Sequence, residues 1–162
     1  MSEQPPKPAS EVEHLFEALD QDGPMVGIVL SAEAERPVLD PAVEELESRG
    51  ISYEVRVLPP HRDPRGVAEY ASTAVLRGLR VIICAGSRSA SLPGVVAAYT
   101  ELPVIGVPIR SQDLGGMDAL LSIVQQPPGT PVGCMAVNGS RNAAIFAAKI
   151  LAQGSGAPVQ PG

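Results

Sequence analysis

The chain has 162 residues, 44% of them hydrophobic, which suits one domain that buries well over half of its unfolded surface and needs no second. Only 3% are aromatic and Trp is absent, so the core must be Val, Ile, Leu and Ala, as in a sheet covered on both faces, with little left for stacking on nucleobases. A net charge of −6 without a Lys/Arg stripe removes the counterion-release term behind nucleic-acid binding and points to a small-molecule partner.

The start, Met1-Ser2-Glu3-Gln4-Pro5-Pro6, is neither basic nor apolar enough for a signal peptide, and the apolar runs are strand-length and broken by charge, Gly or Pro. The expectation is a soluble cytoplasmic protein that does not enter a membrane. Residues 1–22 form an N-terminal arm, with a mobile start and a short helix opened by the capping-box pattern Ser10-Glu11-Val12-Glu13. Val26 to Leu30 is the first buried strand. A helix follows with Pro37 near its first turn and Leu39, Val43 and Leu46 at helical spacing, stopped by Gly50. Tyr53 to Leu58 alternates as a second strand, Pro59 to Pro64 is a stiff loop, and Arg65 to Arg77 a helix ended by Gly78.

Val81 to Cys84 reads as the third strand, Pro93 to Tyr99 as a helix, Pro103 to Pro108 as the fourth strand and Met117 to Val124 as another helix. Val132 to Val137 supplies a fifth strand and Asn142 to Leu151 the last helix, leaving 154–162 as a disordered tail. Strands alternating with helices predict a three-layer α/β/α sandwich over residues 23–153, with a parallel, flavodoxin-like five-stranded sheet. Cys84 and Cys134 lie in or at the end of apolar runs without ligand spacing, so both are expected as core thiols in a reducing compartment.

Two strand-ending turns can carry chemistry, and both should open at the carboxyl edge of the sheet, where such proteins bind ligands. In the first, His61 is held between Pro59-Pro60 and Pro64, placed to exchange a proton near neutral pH or to be a packed loop residue. Arg62 beside it can grip a phosphate or carboxylate with two parallel hydrogen bonds, or face solvent. The second turn, Ala85 to Gly94, has the hydroxyls of Ser87, Ser89 and Ser91, the cation of Arg88 and a helix start near Pro93 that can receive an anion. Glycine-rich dinucleotide and Walker motifs are absent, as is a Gly-x-Ser-x-Gly elbow. The carboxylates Glu33, Glu35, Asp63 and Asp113 have no spacing that selects a metal.

From Pro24 to Leu151 the residues resemble a known family, the aminoimidazole ribonucleotide carboxylases and N-carboxyaminoimidazole ribonucleotide mutases of purine synthesis. The resemblance rests on Gly50-Ile51-Ser52-Tyr53-Glu54-Val55, His61-Arg62-x-Pro64, Ala68-Glu69-Tyr70-Ala71, Leu92-Pro93-Gly94-Val95-Val96-Ala97-Ala98, Leu102 to Pro108, Leu120 to Gln125 and Asn142-Ala143-Ala144. It implies a flavodoxin-like subunit without metal or cofactor, assembled as an octamer, that moves carbon dioxide between the exocyclic nitrogen and a ring carbon of an aminoimidazole ribonucleotide. His61 then matches the family's acid/base histidine and Arg62 its phosphate-contacting arginine. Ser111 and Leu114 match a Ser-x-x-Leu stretch that helps close the site across subunits.

Departures fall where the family binds substrate. Its Gly-Ser-x-Ser-Asp loop, which holds phosphate and ribose, is Ser31-Ala32-Glu33-Ala34-Glu35 here: Ala32 lacks a hydroxyl and Glu35 is longer than Asp. Glu33 adds charge that opposes a phosphate, by ~4 kcal/mol for a pair of unit charges 4 Å apart at an effective dielectric near 20. Pro59 replaces a serine. The family's Gly-Ala-Gly-Gly-Ala-Ala-His-Leu-Pro-Gly is Ala85-Gly86-Ser87-Arg88-Ser89-Ala90-Ser91-Leu92-Pro93-Gly94, with Ser91 for the histidine. The resemblance with these departures predicts an enzyme that adds, removes or migrates a carboxyl group on a small carboxylated substrate other than the usual nucleotide. The retained motifs support a genuine N-carboxyaminoimidazole ribonucleotide mutase instead, and a non-catalytic binding or scaffold protein is the third reading.

Overall fold

Val26–Leu30 (β1) is buried along its whole length, as its unbroken apolar run requires. It is the second of five strands in a computed structural model that describes residues 23–155. The expected N-terminal arm with its Ser10–Glu13 capping box, and the tail beyond residue 155, lie outside those residues. After β1 come a single 3-10 turn at Glu33–Glu35 and helix α1 (Arg36–Ser48). Then follow β2 (Tyr53–Val57), α2 (Pro64–Ser72), β3 (Val81–Ser87), α3 (Leu92–Ala97), β4 (Val104–Ile109), α4 (Met117–Val124), β5 (Gly133–Cys134) and α5 (Ser140–Ser155).

All strand pairs are parallel, in the order β2-β1-β3-β4-β5, the flavodoxin-like order expected from the alternation of elements. Side chains alternate between the two faces. Val26, Ile28, Leu30, Val81, Ile83, Ala85, Ile105 and Val107 pack with Leu39, Ala42 and Leu46 of α1 and Ala143, Ala144 and Ala147 of α5. Val29, Ile82, Cys84 and Val104 face Val67, Tyr70 and Ala71 of α2 and Leu92 and Val96 of α3. A smaller cluster joins Ala90 to Ala119 and Ile123 of α4. Burial pushes the Cys84 thiol far up, and that of half-buried Cys134 up as well, as for core thiols.

Strand β2 differs from expectation by one residue at its end and β4 by one at each end, and other elements depart further. Helix α2 stops at Ser72 rather than Arg77, because the Ser72 and Thr73 hydroxyls donate back to the Glu69 carbonyl and compete with the helix ladder. A separate 3-10 turn, Val75–Arg77, follows and ends at Gly78 with φ 88°. Strand β3 runs on to Ser87, since Gly86 and Ser87 pair with Pro108 and Ile109 of β4; small residues carry little strand propensity. Helix α3 spans Leu92–Ala97, one residue earlier at its start and two at its end.

Strand β5 is only two residues, Gly133–Cys134, although the N–H groups of Met135 and Asn138 still donate to the β4 carbonyls of Gly106 and Pro108; Asn138 then takes a left-handed φ of 58° before α5. Helix α5 is longer at both ends than the predicted Asn142 to Leu151.

On the α2 face, Tyr70 lies over β1 with its ring 4.4 Å from the Arg77 guanidinium carbon. Arg77 in turn donates to Glu54 at 3.3 Å, so the ring sits under a cation that is itself paired. The Tyr70 hydroxyl is buried with no partner in good hydrogen-bond geometry, and burial first, then the charge of Glu54 and a loose hydrogen-bonding contact with it, push its ionisation far above the usual range. Tyr70→Phe is therefore expected to leave thermal stability unchanged or raise it by up to about 1 kcal/mol. A larger loss in urea or thermal unfolding would reveal a bond to that hydroxyl.

Candidate active site

In the observed strand order, the chain leaves β1 toward β2 and returns to β3 on its other side. The loops after β1, β2 and β3 therefore flank one crevice at the carboxyl edge, where the strand order reverses.

The loop after β2 is built to hold a side chain still. The Pro59 carbonyl accepts from the N–H groups of Arg62 at 3.1 Å and Asp63 at 2.9 Å, closing a turn around His61. Asp63 then caps α2 by accepting from Gly66 N–H at 2.9 Å, with Pro64 in the first helical turn. His61 is exposed at the tip, its Nε2 3.3 Å from Oγ of Ser91. Ser91 precedes the first turn of α3, so residues 30 positions apart in the chain meet across two strand ends. Arg62 is exposed beside them.

The loop after β3 starts on the sheet's rim. Ser87 is still strand, while Arg88 and Ser89 are exposed and Ala90, Leu92 and Pro93 are buried beneath them. Arg88 has φ 59°, the left-handed conformation that suits glycine and costs an L-residue roughly 1–2 kcal/mol. Part of that cost is offset by the smaller entropy of an unfolded chain that lacks an extra glycine. Arg88→Gly is accordingly expected to raise stability by up to about 1 kcal/mol, read as a higher midpoint in thermal denaturation. A lower midpoint would show that the guanidinium stabilises the folded loop.

The loop after β1 is organised by Glu35, which is only 6% exposed. Its Oε2 accepts from Ser31 N–H at 3.1 Å, Ser31 Oγ at 2.7 Å and Ala32 N–H at 3.1 Å. Its Oε1 accepts from Ser87 N–H at 3.0 Å and Ser87 Oγ at 2.9 Å. Gly86 lies under this junction; a Cβ there would sit 3.5 Å from Ser31 Oγ and 3.3 Å from the Ala90 methyl. Glu33 points away and pairs with Arg36, which holds its carboxyl below the usual range. The repulsion of a phosphate expected from Glu33 is thus reduced, because its charge is matched on an exposed surface.

After β4, Ser111 is buried and donates to Asp118 of α4 at 3.0 Å, while its Oγ faces Leu114 N–H at 3.4 Å. Leu114 is 64% exposed. Three groups therefore form at this edge: Ser31, Ala32, Glu35, Gly86 and Ser87; His61 with Ser91; and Ser111 with Leu114 and Asp118. Pro59, Arg62, Arg88, Ser89 and Leu92 lie on the same loops. Sequence reasoning missed the helix cap at Asp63, although Asp-Pro before a helix is its usual signature. It also missed Asp118 as the partner of Ser111, which only the folding of the loop brings together. Among the described residues, no group of three or more His, Cys, Asp or Glu is placed to hold a metal ion. A separate cavity of about 650 Å³, lined by Ser72, Val75, Tyr99, Glu101 and Pro103 among others, lies at the amino edge of the sheet.

This arrangement defines a parallel α/β protein that carries the His61–Ser91 pair, the hydrogen-bonded Glu35 turn and the exposed Arg62 and Arg88 on the loops at the carboxyl edge of its sheet. A model of the AIR carboxylase family matches residues 25–157. Over 128 residues the chain is 48% identical to the N5-carboxyaminoimidazole ribonucleotide mutase of Pyrococcus abyssi, covering 79% of this chain and 74% of that protein. It is equally similar to the mutase of Thermotoga maritima, at 48% identity over 79% of this chain and 75% of the relative. Among solved structures, Treponema denticola PurE superposes with a TM-score of 0.72 at 25% identity, covering 80% of this chain and 81% of that one. The chain belongs to the AIR carboxylase family.

Proposed function

We propose that the protein is a carboxyl-shifting mutase acting on N5-carboxyaminoimidazole ribonucleotide, with His61 as its acid/base residue. The observation that carries this reading is the His61 imidazole, fixed by the Pro59–Pro64 turn and held 3.3 Å from Ser91 at the carboxyl edge of the sheet. In the reaction the N–CO2 bond breaks and the electron pair stays on the exocyclic nitrogen, which takes up a proton from protonated His61, leaving the imidazole neutral and ready to act as base. The electron-rich ring carbon then attacks the released carbon dioxide, and His61 removes that carbon's proton to restore the aromatic ring. Water must be kept out meanwhile, since free carbon dioxide is lost once the site opens. No cofactor is required by these steps.

The substrate carries a phosphate and a carboxylate, and Arg62 and Arg88 are two exposed cations on the loops that flank His61. Assembly into a homo-octamer completes the reading. Leu114, Met117, Leu121 and Val124 make a stripe on and before α4, each 49–64% exposed, of the kind a neighbouring subunit covers. Among the described residues no helix is long and apolar enough to cross a membrane, and a cytoplasmic setting fits the proposed substrate.

The test is direct: purified protein is given N5-carboxyaminoimidazole ribonucleotide and the ring-carboxylated isomer is followed by absorbance and chromatography. Efficient conversion supports the reading; absence of product from the folded oligomer defeats it. The rewritten loops support a second reading, carboxyl transfer on a different small substrate. Turnover of a carboxylated azole that lacks ribose phosphate, in preference to the nucleotide, would establish that one.

A further inference from the structure

The edge of the sheet opposite the candidate active site carries an apolar surface that none of the described elements covers. Val75 and Leu76 lie in the 3-10 turn after α2, 56% and 86% exposed, and Tyr99, after α3, is 52% exposed. Leu76 is the most exposed large apolar side chain among the described residues. Val75 and Tyr99 also line the cavity of about 650 Å³ at the amino edge, together with Ala97, Leu102, Pro103 and Pro131. Large apolar groups gathered beside one concavity mark a surface that a partner covers, unlike apolar residues scattered singly.

The place where the chain enters the fold points to the occupant. The described residues begin at Gly23, where a Cβ would sit 3.0 Å from the Arg77 carbonyl oxygen, and Arg80 N–H donates to the Met25 carbonyl at 2.8 Å. The segment before Gly23 therefore joins the fold beside the turn that carries Val75 and Leu76. In its sequence Val12, Leu15, Phe16 and Leu19 recur at i, i+3, i+4 and i+7, the spacing of one helical face. A helix of about ten residues is marginal alone and needs a surface for that face. From Leu19 to Gly23 the chain reaches at most about 14 Å. So short a tether keeps the segment near the turn at an effective concentration in the millimolar range. Charge agrees with this placement. Between Ser10 and Asp22 the chain has Glu11, Glu13, Glu17, Asp20 and Asp22 and no Lys or Arg, while Arg80 stands exposed at the entry point. Glu101 is the acid among the residues lining the cavity.

We propose that residues Ser10 to Leu19 form an amphipathic helix that docks on its own subunit, laying Val12, Leu15, Phe16 and Leu19 over Val75, Leu76 and Tyr99 and covering the cavity at the amino edge. The contact lies at the edge away from His61 and does not depend on the proposed reaction. Either result of the mutase assay leaves it standing.

Chymotrypsin cleavage of the full chain after Phe16 reads the undocked population, because a protease acts on the open form. Leu76→Asp, with Val75→Asp as a second variant, is expected to speed that cleavage about tenfold, equivalent to about 1.4 kcal/mol of docking. Both side chains are exposed, so the fold should tolerate either change. A disulfide then identifies the occupant: Leu15→Cys or Phe16→Cys is combined with Val75→Cys or Tyr99→Cys in a Cys134→Ser background and oxidised. The expected product is a bond within one chain, running at single-chain mass on a non-reducing gel and mapped by peptide mass. Cleavage at the wild-type rate in both patch variants, or no disulfide in any pairing, overturns the proposal. So do disulfides formed only between chains, which would give this surface to a second copy.

Discussion

Replacing His61 by Asn is expected to lower kcat by about 10²–10⁴-fold, the usual loss when a positioned proton-transfer group is removed, while KM changes far less. Asn is close in size and can still hydrogen-bond to the Ser91 hydroxyl, but it has no nitrogen that exchanges a proton near neutral pH. The fold should survive, because His61 is exposed and the turn around it is held by the Pro59 carbonyl and the Asp63 cap. Steady-state kinetics with a circular-dichroism control separates the two. Wild-type turnover in the variant would place the base elsewhere or remove catalysis from His61 altogether. Ser91→Ala is a gentler probe of the same contact, since it removes one orienting hydrogen bond and leaves the imidazole in place.

The second large effect lies in the scaffold. Gly27 is the second residue of β1, where a β-branched residue would ordinarily strengthen a strand. In the fold, a Cβ at Gly27 would run into the Tyr70 hydroxyl, with Leu79 Cδ1 3.1 Å away. Gly27→Ala is therefore expected to destabilise the protein by about 1–3 kcal/mol, the range for overpacking a tight core. In a Tyr70→Phe background the penalty should shrink, because the atom met first has gone, and the double-mutant cycle should show a coupling of roughly 1 kcal/mol. Urea unfolding at one protein concentration measures all four proteins, since the stability of the proposed oligomer would depend on concentration. Equal penalties in the two backgrounds would mean that Tyr70 does not limit the space at Gly27.

These two experiments probe different kinds of information in the chain. His61 stood out from sequence because proline-stiffened loops after β-branched runs are local features, readable without knowing what packs beside them. The clash at Gly27 could not be read that way. It depends on α2 laying Tyr70 across β1, a contact between segments over 40 positions apart in the numbering. Strand length was similarly divided. The β-branched stretch of β3 was visible, but its continuation through Ala85-Gly86-Ser87 comes from pairing with β4, and β5 keeps regular pairing over only two of the six residues expected.

The candidate site splits along the same line. Composition and periodicity alone determined a parallel α/β scaffold with aliphatic layers and a histidine at a strand end, because burial and backbone preference act over a few neighbouring residues. Tertiary structure decided where the charges go. Glu35 looked like a residue facing a ligand, yet its carboxylate is spent on Ser31, Ala32 and a serine 52 positions later. Glu33 looked like a repulsive charge, yet it is paired with Arg36. A side chain's hydrogen bonds are set by whichever donors the folded backbone gathers around it, and no local pattern records that distance.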